Sequence, residues 1–191
     1  MTNYFTRLLA ALLFVGACCA ADSPGAVRYT QAPGAGSLTF AFVQAGAESQ
    51  GAFKQFAAEL TWDAARPAAG SLKVTVQTGS LDTQDKDRDD ALRGSDLFDS
   101  KQYPAAQFAA DSFAKRANGG LEAVGKLTLR GVTRDLRLPV TVKVSATGVE
   151  LSGEVTIKRL DYGVGQGEWK STEWVGDEVK LQYHVPFTRA K

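Results

Sequence analysis

The stretch Leu136-Arg137-Leu138-Pro139-Val140-Thr141-Val142-Lys143-Val144 places its aliphatic side chains at one parity and Arg137, Thr141 and Lys143 at the other. A period of two puts alternate residues on opposite faces of an extended chain, so this run predicts a strand with one buried face and one wet face. The pattern continues outward. Downstream, Val149, Leu151, Val155 and Ile157 oppose Glu150, Ser152, Glu154, Thr156 and Lys158, and Val179, Leu181, Tyr183, Val185 and Phe187 oppose Lys180, Gln182, His184 and Thr188. Upstream, Leu127 and Leu129, a looser run from Phe108 to Phe113, the set Leu72, Val74 and Val76, the set Phe56, Ala58, Leu60 and Trp62, and the set Leu38, Phe40 and Phe42 behave alike. Turns at Asn118-Gly119-Gly120, Gly131-Val132-Thr133 and Thr147-Gly148 predict consecutive hairpins without crossovers.

The expected fold is therefore all-β, an antiparallel meander of about eight strands. A sheet with one apolar and one charged face is satisfied by closing into a barrel, which also removes its free edges. A two-sheet sandwich whose apolar faces fill each other is the alternative that periodicity leaves open. Only the segment from Asp82 to Phe98 breaks the pattern, with Asp85, Lys86, Asp87, Arg88, Asp89, Asp90 and Arg93 surrounding Ala91 and Leu92. It predicts a short helix with Asp82 as N-cap, acids in the first turn, an Asp89 to Arg93 pair, and Gly94 as the stop.

The N-terminus carries Arg7, an apolar run from Leu8 to Val15, and then Gly16, Ala17, Ala20 and Ala21, the layout of a secretory leader. The run is about half of the roughly 20 apolar residues that span a bilayer. Two cleavage patterns compete. Val15-Gly16-Ala17-Cys18 resembles a lipobox ending at Ala17, with Cys18 acylated as the first mature residue; ordinary cleavage would follow Ala20 or Ala21. The expected organisation is a leader over 1–21, a flexible lead-in over 22–36 containing Ala32-Pro33-Gly34-Ala35-Gly36, and one barrel domain over 37–191. The expected location is periplasmic or secreted, or membrane-anchored through Cys18.

Cys18 and Cys19 are the chain's 2 cysteines, so the mature body has no disulfide, thiol nucleophile or thiolate metal site. The chain has 22 basic and 21 acidic residues, and removing the leader takes away one base, which leaves no electrostatic footprint for nucleic acid. Asp85, Asp87 and Asp89 have the alternate spacing of a calcium loop, yet Asp90 stands where that loop needs glycine, and Lys86 and Arg88 dilute the charge. A solvated helix face explains them better. Gly163-Val164-Gly165-Gln166-Gly167 lacks the Lys-Ser/Thr ending of a phosphate loop and is expected to be a flexible loop. His184 is the 1 histidine and has no partner for a metal site or a nucleophilic pair. Carboxylate pairs are too numerous for any one to be singled out.

What remains is a surplus of large aromatic residues, which either fill a barrel or line a cavity for a long hydrocarbon ligand. Several stretches resemble the YceI-like family: Ser37-Leu38-Thr39-Phe40, Gly51-Ala52-Phe53-Lys54-Gln55-Phe56, Arg88-Asp89-Asp90-Ala91-Leu92-Arg93-Gly94-Ser95-Asp96-Leu97-Phe98-Asp99 with Lys101-Gln102-Tyr103-Pro104, and Gly125-Lys126-Leu127-Thr128-Leu129-Arg130-Gly131-Val132-Thr133-Arg134. The resemblance runs from about residue 27 to the end. It implies an extended lipocalin-like barrel, usually exported, whose interior holds a polyisoprenoid or isoprenoid quinone, with no cofactor beyond that ligand. The ending Asp161 to Trp169 with Thr172 to Val179 is similar to a subgroup that partners membrane cytochrome b proteins. A dimer stays open. The first hairpin, Ala45 to Gln50, is shorter than in better-known members and lacks their histidine or aromatic residues.

On this reading Phe40, Phe42, Phe56, Trp62, Val74, Val76, Phe108, Leu127, Leu129 and Val140 line the tunnel. Leu97 and Phe98 border one end, and Trp169 and Trp174 guard the other. The expected role is a carrier or scavenger of apolar lipid. The competing roles are an envelope interaction module, associated with a cytochrome b or a stress response, which predicts a filled barrel, and an enzyme using a carboxylate pair.

Overall fold

The structure is a computed structural model that describes residues 25–32 and 34–190; the expected leader and Cys18 lie outside the described residues. The eleven strands are β1 (Val27–Gln31), β2 (Ser37–Gln44), β3 (Ala47–Phe53), β4 (Phe56–Trp62), β5 (Ser71–Gln77), β6 (Leu81–Asp82), β7 (Ala105–Lys115), β8 (Leu121–Leu129), β9 (Val132–Val144), β10 (Gly148–Lys158) and β11 (Val175–Arg189). One helix, α1, spans Lys86–Arg93.

All pairings are antiparallel, and the sheet closes through β1, β4, β5, β7, β8, β9, β10, β11 and back to β1, which makes an eight-stranded barrel. The meander predicted from Leu136 to Val144 is thus the observed topology, and the sandwich is excluded. Closure depends on β11, whose long edge pairs β2 along Ser37–Gln44 and β1 at Tyr29, Thr30 and Gln31. Strands β1 and β2 therefore form one interrupted strand, as do β3 with β4 and β5 with β6. Val27–Gln31 corrects the expected lead-in: Val27 and Tyr29 alternate with Arg28 and Thr30 between glycine-bearing flanks, too short a run to stand out. Strand β3 was also silent in the sequence, because Glu48, Ser49 and Gln50 carry no apolar alternation.

The hairpin between β8 and β9 turns on Arg130 and Gly131, both at positive φ (49° and 75°), and the one between β2 and β3 turns on Ala45 and Gly46 in the same way (49° and 78°). This primed turn twists with the strands it joins. Both hairpins fall at one end of the barrel, together with α1 and the connection from β10 to β11.

Helix α1 begins later than expected. Its N-cap is Asp85, whose carboxylate accepts from Arg88 N at 3.1 Å, while Asp82 pairs in β6 and accepts from Gln84 N. Gly94 ends the helix as expected. Asp89 is buried, accepts from Thr83 N (2.9 Å) and Thr83 Oγ1 (2.7 Å), and pairs with Arg93 at 3.6 Å. These bonds clamp the helix to the barrel rim. Asp89→Ala should lower stability by about 2–3 kcal/mol, since charged hydrogen bonds are lost and Thr83 is left buried and unpaired; the urea midpoint measures it.

Packing divides the barrel into two halves. At the end far from α1, Leu60, Trp62, Phe113, Ala123, Val149 and Phe187 belong to a continuous buried core, with the Trp62 and Phe113 rings edge to face at 5.1 Å. This end is solid. Toward α1 two smaller clusters, one around Leu97, Leu129 and Ile157 and one around Phe40, Phe42 and Leu81, are joined by Leu92, Phe98, Trp169, Val179 and Leu181, which pack against both.

Candidate ligand cavity

Residues of both clusters line a cavity of about 370 Å³. A second chamber of about 100 Å³ adjoins it on the side of the solid core, and Leu38, Val76, Ala106, Leu127 and Leu181 line both. The residues come from alternate positions of almost every strand, which is the consequence of period-two alternation in a closed sheet. Phe40, Phe42, Val76, Leu127 and Leu129 line the larger chamber from the strands, and Leu97, Phe98 and Trp169 from the connections. Phe56, Val74 and Phe108 line the inner one.

Two expected tunnel residues and one expected guard lie elsewhere, and Trp169 shares one chamber with Leu97 and Phe98 instead of guarding the opposite end. Trp62 and Val140 have inward parity but sit in the solid core. Trp174 is 70% exposed and lines neither chamber. Parity assigns a residue to a face, whereas height along the strand decides whether that face meets core or cavity. Trp174→Ala should change stability by less than about 0.5 kcal/mol and leave ligand uptake unchanged, as read by thermal melting and ligand titration.

The sequence reading missed Phe53, Ile157, Val179 and Leu181, which the cavity wall includes. Phe53 bridges the aromatic wall: its ring lies 5.1 Å from Phe40 and 5.9 Å, edge-on, from Phe98, while Phe40 stacks on Phe42 at 6.1 Å. Gly51 makes this possible, since a Cβ there would collide with the Phe40 ring. The glycine in Gly51-Ala52-Phe53 was the available signal.

Arg159 was missed entirely. It follows β10, is 4% exposed, and lines the cavity wall. Its Nε donates to Gly176 O (2.9 Å), Nη1 to Val164 O (3.0 Å) and Trp169 O (2.7 Å), and Nη2 to Ser171 O (3.2 Å) and Val175 O (2.8 Å). All the side chain's N–H groups are committed. Burial lowers its pKa and the nearby Asp177 carboxylate opposes that shift; Asp177 also accepts from Leu160 N at 3.0 Å. The expected flexible loop at Gly163–Gly167 is therefore tied down, and Gly165 (φ 126°) is required because a Cβ would strike the Arg159 guanidinium. Trp169 is held over the cavity by this staple.

At the inner chamber, Gly153 gives the Tyr183 hydroxyl room to donate to Pro139 O, the proline's own carbonyl, just beyond the Thr141 to Ser152 pair at which the ladder between β9 and β10 ends. Burial pushes the Tyr183 phenol up, so it stays neutral. Polar groups otherwise gather at the rim, where Gln44, Asp85, Asp87 and Arg88 surround the opening. Within the acidic run Asp85, Asp89 and Asp90 are accounted for by capping and ion pairs, and among the described residues no group of three His, Cys, Asp or Glu is placed to hold a metal. No helix among them is long and apolar enough to cross a membrane.

The family model for the YceI-like domain matches residues 29–187. Protein YceI of Escherichia coli is 39% identical over 98 residues, 51% of this chain and 49% of that protein. A UPF0312 protein of Shewanella denitrificans is 37% identical over 98 residues, 51% of this chain and 49% of that protein. The matched stretch thus spans about half the length of these relatives. Among solved structures, BcnA of Burkholderia cenocepacia superposes with a TM-score of 0.75 at 35% identity, covering 79% of this chain and 95% of that one. A polyisoprenoid binding domain from Saccharophagus degradans superposes at 0.67 over 86% of this chain and 99% of that one; at 17% identity it speaks to the fold alone.

Proposed function

Because this chain belongs to the YceI-like family, we propose that it is a lipid-binding protein that holds a polyisoprenoid or isoprenoid quinone in its barrel, exported from the cytoplasm and acting as a carrier or scavenger without catalysis. The observation that carries this reading is the pair of adjoining chambers, walled mainly by apolar side chains, in which the guanidinium of Arg159 is spent on backbone carbonyls. A hydrocarbon chain contributes about 0.8 kcal/mol for each methylene removed from water, so an apolar channel with a polar mouth suits a long tail with one polar end.

The interaction-module reading called for a filled barrel, and the hollow half speaks against it. An N-terminal leader, either cleaved after Ala20 or Ala21 or ending at Ala17 with Cys18 as a lipid anchor, and a membrane cytochrome b as the partner that receives or supplies quinone, complete the proposal. Titration of the purified protein with a polyprenol and with an isoprenoid quinone, followed by quenching of tryptophan fluorescence, tests it. Saturable binding at one ligand per barrel is expected; no uptake of either would refute it.

A further inference from the structure

The mouth of the cavity sorts ligands by charge. Four polar side chains surround it: Gln44 at the end of β2, and Asp85, Asp87 and Arg88 at the start of α1. Arg88 is held by Asp85, whose Oδ1 accepts from its backbone N at 3.1 Å and whose Oδ2 lies 3.3 Å from its guanidinium. Asp87 is exposed, and among the described residues no cation pairs with its carboxylate. The other cation of the lining, Arg159, has every N–H committed to a backbone carbonyl. The mouth therefore carries one carboxylate in excess of its one guanidinium, and the deeper cation has no donor to offer.

Resting on the lipid-binding reading, we infer that the cavity selects amphiphiles with an uncharged, hydrogen-bonding head group and discriminates against prenyl phosphates and other anionic lipids. A carbonyl or hydroxyl at the end of an apolar tail finds donors on Gln44 and on the outer face of the Arg88 guanidinium, and a hydroxyl finds an acceptor on Gln44 or Asp87. A diphosphate would bring several negative charges against Asp85 and Asp87 and gain a single guanidinium already shared with a carboxylate. Phosphate recognition calls for unshared cations or converging backbone N–H groups; at the start of α1 the Asp85 carboxylate already occupies the capping position, accepting from Arg88 N.

Geranylgeraniol and geranylgeranyl diphosphate share one tail and differ only at the head, so their affinities for the whole protein isolate this effect. The alcohol is expected to bind at least about tenfold more tightly, equivalent to 1.4 kcal/mol. Added salt should shrink the difference, because exposed charges are screened, and Asp87→Lys should shrink it further. Equal or tighter binding of the diphosphate, or a ratio unchanged in Asp87→Lys, would overturn the inference. Failure of both ligands to bind the parent protein would overturn the lipid-binding reading, and this inference with it.

Discussion

Leu127→Glu is expected to empty the barrel. Leu127 is the inward residue of β8 at which the two chambers meet, so any chain that reaches the inner chamber passes it. A carboxylate there either stays ionised without a partner or takes up a proton and keeps a polar hydroxyl in an apolar wall. Either state opposes an adjacent hydrocarbon. The expected loss is 100-fold or more in affinity for a polyprenol or quinone, about 3 kcal/mol. The half-buried position next to open volume lets the fold tolerate the change. Leu127→Trp makes the same point without charge by occupying the passage. Folded variants that bind as tightly as the parent would remove this channel from the account, with circular dichroism as the control for folding. Phe42 and Leu129, which face the larger chamber, should respond in the same direction.

Arg159→Leu should produce the largest loss of stability. Five backbone carbonyls lose their donor at once, and those at Val164 and Val175 lie in buried residues. Leaving buried polar groups unpaired costs about 1–3 kcal/mol each where water cannot reach them, and water that enters the loosened loop returns part of that. A net loss of about 3–5 kcal/mol corresponds to a fall in Tm of roughly 10 °C for a domain of this size. Arg159→Lys should recover less than half of it, because one ammonium cannot serve carbonyls spread around a planar fork. Trp169 loses its anchor in both variants, so ligand release should accelerate more than the loss of stability alone explains. A melting curve shifted by only a degree or two in Arg159→Leu would show that the staple is dispensable.

The barrel was legible because a closed antiparallel sheet imposes the same two-residue period on every long strand, and β9, β10 and β11 carry it without interruption. The illegible strands were those in which one face does not meet the core for long enough. β1 is five residues and β6 two, and the outward half of β3 is polar. Within the site, parity identified the inward residues correctly even for Trp62 and Val140, but no local pattern reports how far down the barrel the packed core extends. That height follows from large side chains on several strands at once, Trp62 against Phe113 among them. The helix was recognised from its composition, while its N-cap was misplaced by three residues because Asp82 and Asp85 are both competent and the pairing of β6 with β3 decides between them. Arg159 could not be seen at all: its partners are backbone carbonyls, which leave no trace in the identity of the residues that present them.

Native mass spectrometry of the protein purified from cells that make it, followed by organic extraction and identification of what is released, shows whether the hollow half of this barrel carries a lipid. One isoprenoid lipid or quinone per chain is expected, lost in Leu127→Glu. A protein that arrives empty and also fails to take up added quinone or polyprenol would contradict it, and would turn attention to the outer surface, Trp174 included, as the part that works.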